Sequence, residues 1–340
     1  MLSLLAVPGA RAWPYLDSDR AFFERELASF IPPRLFDAHA HLYDCAHFGS
    51  APPELVRQGP ATVGAGVYQT FMEQMLPRRQ VSGLFFGWPE AGTDLAAMND
   101  FVGREVGRER AWRAEMLVRP EMDVESIRES VRRHHFVGLK CYHVYASERP
   151  TFQAAIPSYL PEAQVRLAHE EGLTVTLHMV RSRALADTSN QEAIRRYAER
   201  YPHARLILAH AARGFNPSHT VAGIGALRGL KNVWFDTSAV TECGAVEAIA
   251  RTMGVERLLY GSDFPVCYQR GRCVAIGDSF LWLGENNTNF GADYSRVQPT
   301  LVGYESLRAL KLSCLNLGLS DTDVERILYG NAVELFGRTH

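Results

Sequence analysis

The segment Phe36-Asp37-Ala38-His39-Ala40-His41 places two imidazoles two residues apart inside an apolar run. In an extended strand, residues i and i+2 project to the same side about 6–7 Å apart. His39 and His41 can then converge on one cation at about 2.0–2.1 Å each. Alone, the H-x-H pattern is a weak signal, because a single histidine on an apolar face more often serves packing. Three further residues share its setting: His178 follows the apolar run 173–177, His210 follows 206–209, and Asp263 follows 258–262. Burying five such groups at strand ends without a shared partner would be costly, and a common cation removes that cost. Most of the other histidines have blander settings. His134 and His135 sit near a helix end, His169 on an amphipathic stretch, His203 in a turn and His340 at the terminus.

Bringing those groups together requires strands whose tips face one mouth. β-rich apolar runs occur at 35–41, 81–87, 112–118, 137–142, 173–179, 205–210, 232–238 and 257–262. Several are almost continuously apolar, as strands buried on both faces are. Helices are expected between them: 95–106 after Thr93 and Asp94, 124–134 after Asp123, and 162–171 between Pro161 and Gly172. Two more are expected at 191–200 after Asn190 and at 245–253 before Gly254. Eight strand–helix units make the arithmetic of an α/β fold, the (β/α)8 TIM barrel. A doubly wound open sheet would give a similar string. Its first, fifth, sixth and eighth strands, however, would lie too far apart for their tips to meet, whereas in a barrel all tips ring one mouth. Three additions stand outside the repeat. A helical N-terminal extension at 17–30 is expected to lie across the barrel floor, and long loops at 42–67 and 264–299 follow the first and eighth strands on the active face. One domain over 1–340 is expected, with 1–33 as the extension and 34–340 as the barrel.

Composition removes several function classes. Of 340 residues, 46% are hydrophobic and 22% charged, a globular balance that excludes disordered, collagen-like and coiled-coil chains. The net charge of −2 supplies no cationic excess for a phosphate backbone, so nucleic acid is not an expected partner. No run of about 18 apolar residues predicts a membrane span. The mildly apolar Met1–Ala10 lacks the basic stretch of a signal peptide. Six cysteines without a C-x-x-C pair make no disulfide framework. Cys267 and Cys273 are close enough to pair, but reduced thiols in the cytoplasm are the expectation.

Phe36–His41, Gly138-Leu139-Lys140, Thr176-Leu177-His178, Leu208-Ala209-His210, Tyr260-Gly261-Ser262-Asp263-Phe264-Pro265 and Ile327-Leu328-Tyr329-Gly330-Asn331-Ala332 together resemble the amidohydrolase superfamily. The likeness is to its amidohydrolase-related branch of small barrels, which includes lactonases and decarboxylases, and it covers about residues 34 to 337. This resemblance implies one divalent metal, zinc or else manganese, held by His39, His41, His178 and Asp263. It also implies two catalytic residues. His210 matches the group that polarises water or substrate, and Asp263 the carboxylate that takes a proton from the attacking water and passes it on.

Lys140 is open in three ways: a carboxylated bridge between two metals, an ammonium that binds an anionic substrate, or a core ion pair. Arg181 and Arg213 lie three residues beyond His178 and His210 and would rim the same mouth with Arg183, suiting a carboxylate-bearing substrate. Tyr142, with His143 and Tyr145, can add hydrogen bonds, and Trp88 a flat wall. Phe280 and Trp282 form either a lid or an internally packed loop. The expected activity is metal-dependent hydrolysis of a lactone, ester or amide in a small anionic molecule. The alternative is non-oxidative decarboxylation of an aromatic or muconate-type acid. A non-catalytic barrel would have lost one of the five groups, and all five are present. Barrels of this branch often pair, so a homodimer is one assembly to expect.

Overall fold

The computed structural model describes residues 12–284 and 298–337. The apolar 1–10 segment, residues 285–297 of the last long loop, and His340 lie outside them. Nine strands form one sheet: β1 (Arg34–Asp44), β2 (Thr62–Val63), β3 (Gln80–Gly87), β4 (Arg113–Leu117), β5 (Gly138–Tyr142), β6 (Thr174–His178), β7 (Arg205–Leu208), β8 (Val233–Asp236) and β9 (Leu258–Leu259). Their order is β2-β1-β3-β4-β5-β6-β7-β8-β9. Short β2 runs antiparallel to β1, and every other neighbour is parallel. Parallel neighbours need a crossover, usually helical, and each barrel strand is followed by a helix before the next. The two ends of the sheet meet. The Ala38 N–H donates to Tyr260 O at 2.7 Å, the His41 N–H to Phe264 O at 2.8 Å, and the Asp263 N–H to His39 O at 2.8 Å. Those bonds close the TIM barrel.

Local chemistry sets the helix ends. Leu95–Val106 and Val124–His134 begin where the Asp94 and Asp123 carboxylates accept main-chain N–H groups, from Ala97 at 3.1 Å and Ser126 at 2.9 Å. Such caps contribute about 1 kcal/mol each. Glu162–Glu171 ends at Gly172 in the left-handed region (φ 65°). One expected start is corrected. The helix after β6 is Thr188–Arg200, capped by Asp187 through the Ser189 N–H. Asn190 lies inside that helix, buried, with its amide donating to Val180 O and Ala184 O at 2.8 Å each.

A second correction concerns the barrel floor. Asp17–Phe22 is helical and continues as a wider turn over Phe23–Leu27. It packs on the flank instead, where Phe22 and Phe23 meet Tyr304 of the helix Val302–Leu317 and Lys311 donates to Glu26 O. The floor is sealed by the other end of the chain. Helix Asn331–Phe336 sets Ala332 and Leu335 against Phe36, Ala38, Leu84, Phe86, Ile207 and Leu259 of the barrel interior. Phe336 stacks on Phe36 at 5.4 Å. The apolar plug fills the lower barrel and leaves the strand tips free for polar groups.

Of the two long loops, the first folds back through β2 and the helix Glu54–Gln58. The second carries an antiparallel hairpin, β10 (Arg272–Ile276) and β11 (Ser279–Leu283).

Candidate metal centre

β1 delivers both members of the H-x-H pair to the mouth. Its register against β3 slips between Asp37 and Ala40, a bulge that includes His39. The His39 and His41 rings lie 5.4 Å apart, each 4.9 Å from Phe86 beneath them. Asp263 arrives with the barrel-closing backbone, in the left-handed region (φ 57°) that L residues rarely adopt. Its Oδ1 stands 3.4 Å from both His39 Nε2 and His41 Nε2. His210 is not on a strand. β7 stops at Leu208, and His210 to Arg213 form a turn with four successive φ values between 50° and 60°. That turn carries the His210 ring to 4.9 Å from His39 and 5.0 Å from His178. All five groups are buried.

Hydrogen bonding fixes the ring states. Gly87 O can only accept, so His41 Nδ1, 3.0 Å away, carries the proton and Nε2 is bare. The Asp236 carboxylate, 3.0 Å from His39 Nδ1, imposes the same state there. Two bare imidazole nitrogens therefore face a carboxylate oxygen, acceptor against acceptor. Burial pushes His41 below its ordinary value and His39, with Lys140 adding to the effect, down to about 3, so protonation is a poor remedy. Burial alone would raise Asp263, and the carboxylate is held below its usual range only where positive charge or a donor stands beside it. The nitrogen and carboxylate donors of His39, His41 and Asp263 lie within 4.8 Å of one another. This donor set fits a divalent cation. His39, His210 and Asp236 form a second such cluster, and His178 belongs to neither among the described residues, but its buried Nδ1 has no hydrogen-bond partner.

The remaining predicted residues surround this cluster unequally. Lys140, fully buried on β5, places Nζ 3.3 Å from His39 Nε2 and 4.1 Å over the Phe86 ring. Among the described residues it forms no ion pair within 4 Å, although the Asp236, Glu115 and Asp263 carboxylates all act on its charge. Burial holds its pKa below the ordinary lysine value. Tyr142 packs 4.4 Å from His178, and His143, pushed down to about 4 by burial and by Arg213, lies beside both. Arg213 lies between the rings of Phe152 and Phe280 at 5.9 and 5.4 Å. It donates to Arg181 O at 3.1 Å, and its buried Nε has no partner. The Arg181 guanidinium is engaged by Asp187 at 2.9 Å and Gln153 O at 3.2 Å. Trp88 stands 5.1 Å from His41 as a wall. Phe280 and Trp282 pack on Phe215, which itself stacks on His210.

Two carboxylates at this centre escaped sequence reasoning. Asp37 accepts from the main-chain N–H groups of His39 (3.1 Å) and Ser262 (2.7 Å) and from the Tyr68 hydroxyl (2.8 Å). It clasps the first strand to the last. Asp236 ends β8 as His178 ends β6, and that position was its available signal.

Residues 36–338 match a family model described as amidohydrolase. No curated protein sequence matches the chain. Among solved structures, a probable 2-pyrone-4,6-dicarboxylic acid hydrolase from Acinetobacter baumannii, with citric acid bound, shares 12% identity at TM-score 0.56. That match covers 89% of this chain and 99% of the other. The 5-carboxyvanillate decarboxylase of Sphingomonas paucimobilis shares 14% at TM-score 0.52, covering 90% and 99%. The 4-oxalomesaconate hydratase of Rhodopseudomonas palustris shares 13% at TM-score 0.54, covering 89% and 95%. Identities this low establish the fold alone.

Proposed function

As a member of the amidohydrolase family, this chain, we propose, is a metal-dependent hydrolase that opens a lactone, ester or amide bond in a small carboxylate-bearing molecule. The observation that carries this reading is the pair of bare imidazole nitrogens, His39 Nε2 and His41 Nε2, facing Asp263 Oδ1 at 3.4 Å. Those three residues and His178 would hold one divalent ion, zinc in the first place and manganese in the second. When bound, such an ion polarises a scissile carbonyl and brings the pKa of water toward about 7.

The chain's own groups supply the rest. Asp263 accepts the proton of the attacking water on Oδ2, the oxygen on the His210 side, and returns it to the leaving group. His210 orients that water through its ring. Arg213, held between two aromatic rings, pairs with the substrate carboxylate, and Tyr142 donates to it. Arg181 supports Arg213 through its carbonyl and borders the same mouth. Lys140 lies deeper, beside His39, as a cation toward the substrate or as a carboxylated bridge. No helix among the described residues is long and apolar enough to cross a membrane. The six cysteines are free thiols, in keeping with a reducing compartment, and we assign the protein to the cytoplasm.

The fold-level likeness to a 5-carboxyvanillate decarboxylase favours a second reading, release of CO2 from an aromatic or muconate-type acid. The two are separated by assaying a panel of lactones, esters, amides and carboxylic acids with added Zn2+ or Mn2+. Ring opening or ester cleavage supports hydrolysis, and CO2 release without it reverses the order. On the substrate so found, Asp263→Asn is expected to lower kcat by about 10²–10⁴ while metal content survives. Turnover near that of the unchanged protein would reject the assignment.

A further inference from the structure

Asp236 is fully buried at the end of β8, and beyond its bond to His39 it has no part in the chemistry above. Both of its oxygens are nonetheless occupied. Oδ2 accepts the His39 Nδ1–H at 3.0 Å. Oδ1 accepts the main-chain N–H groups of His210 and Ser238, each at 3.1 Å, and the Ser238 hydroxyl. With three donors on Oδ1 and one on Oδ2, this carboxylate holds other groups in place.

The proton count then runs one way. The single hydroxyl proton of Ser238 goes to Asp236, so its oxygen meets His210 Nδ1, 2.9 Å away, as an acceptor. The Ser238 carbonyl, 3.0 Å from the same nitrogen, is an acceptor by nature. His210 Nδ1 must therefore carry the proton, which leaves its Nε2 bare. The same Oδ1 also pins the first residue of the left-handed turn through the His210 main-chain N–H.

We infer that Asp236 is a positioning residue that sets the ring states of His39 and His210 together and anchors the turn that presents His210. The inference rests on the metal-site reading for His39. It adds that the donor set is organised by a carboxylate outside it, on a strand that contributes no ligand. Asparagine cannot replace this carboxylate. Its amide nitrogen would face either His39 Nδ1, driving that proton to Nε2 where a metal must bind, or the two main-chain N–H groups at the turn. Ser238→Ala is the milder change, because the Ser238 carbonyl still accepts from His210 and the His39 bond is untouched.

The test uses Zn2+ alone, titrated against a competing chelator into metal-stripped full-length protein, with long-range 15N–1H spectra of the histidine rings beside it. Asp236→Asn is expected to weaken Zn2+ binding about 10–100-fold and to shift the His39 ring from its Nδ1–H form. Ser238→Ala is expected to bind close to the unchanged protein. Zinc affinity in Asp236→Asn equal to that of the unchanged chain, with His39 still protonated on Nδ1, would overturn the inference. Should that variant not fold, the spectrum of the unchanged protein decides: a His39 proton on Nε2 overturns the inference directly. Failure of the unchanged protein to bind Zn2+ would instead refute the metal reading, while the ring spectra would still judge Asp236.

Discussion

His39, His41 and His210 each have their Nδ1 environment settled by a different acceptor, and the outcome is where the chemistry resides. Gly87 O, the Asp236 carboxylate and Ser238 O are not interchangeable in charge, yet each leaves Nε2 bare on its partner. The sequence disclosed the histidines, because an imidazole ending an apolar run is conspicuous. It concealed the acceptors, since a main-chain carbonyl has no sequence signature and Asp236 reads as the polar end of a strand. Glu115 is a further buried carboxylate, inside the barrel on β4. Its Oε1 accepts from the Thr174 hydroxyl at 2.6 Å, Oε2 has no partner, and burial raises its pKa to about 7 from 4.5. The folded state therefore holds this proton more tightly than the unfolded chain. Its stability contribution is full below about pH 4.5 and is lost as pH rises toward 7, by on the order of 3 kcal/mol. Urea midpoints of metal-stripped protein should accordingly fall less between pH 5 and pH 7.5 in Glu115→Gln than in the parent. Equal falls in both would place the slope elsewhere.

At the scale of elements, helix ends were most legible where one residue carries the signal. Asp94, Asp123 and Gly172 marked boundaries that the structure reproduces, because a cap or a left-handed stop is a local event. The turn after β7 was not legible. Ala211 and Ala212 have no preference for positive φ, and their left-handed backbone is held by tertiary bonds such as Asp236 to the His210 N–H and the Thr220 hydroxyl to Ala211 O. Left-handed residues cost about 1–2 kcal/mol each, so this strain sits beside a site whose geometry it sets. The β10–β11 hairpin was equally hidden within a loop. Its tip is fastened by Asp278 to His219 at 3.0 Å and by Gly277 O and Ser279 O to the Asn216 amide. Its inner face sets Phe280 and Trp282 on Phe215. Asp278→Ala should loosen that tip, so that trypsin cuts faster at Arg270 or Arg272 and acrylamide quenches Trp282 more readily, with Zn2+ affinity unchanged. Identical digestion and quenching would mean that the aromatic face alone holds the hairpin.

Over the whole molecule, the two ends of the barrel are assigned different tasks. The lower end is closed by Phe36, Phe336, Ala332 and Leu335, and the upper end gathers the polar side chains. The eightfold alternation was readable because strand and helix periods differ and parallel strands are apolar on both faces. Which terminal segment covers the floor was not, since an amphipathic helix records that it packs but not against what. Convergence of His39, His41 and Asp263 from the two ends of the sheet depends on barrel closure, and closure in turn depends on bonds among residues more than 200 positions apart. The most direct measurement is an anomalous difference map, recorded at the zinc edge, from crystals of the Zn2+-reconstituted protein. One peak bounded by His39 Nε2, His41 Nε2, His178 and Asp263 is the expected result. A map with no peak there, or with zinc held only at surface side chains, would contradict the metal centre and the chemistry built on it.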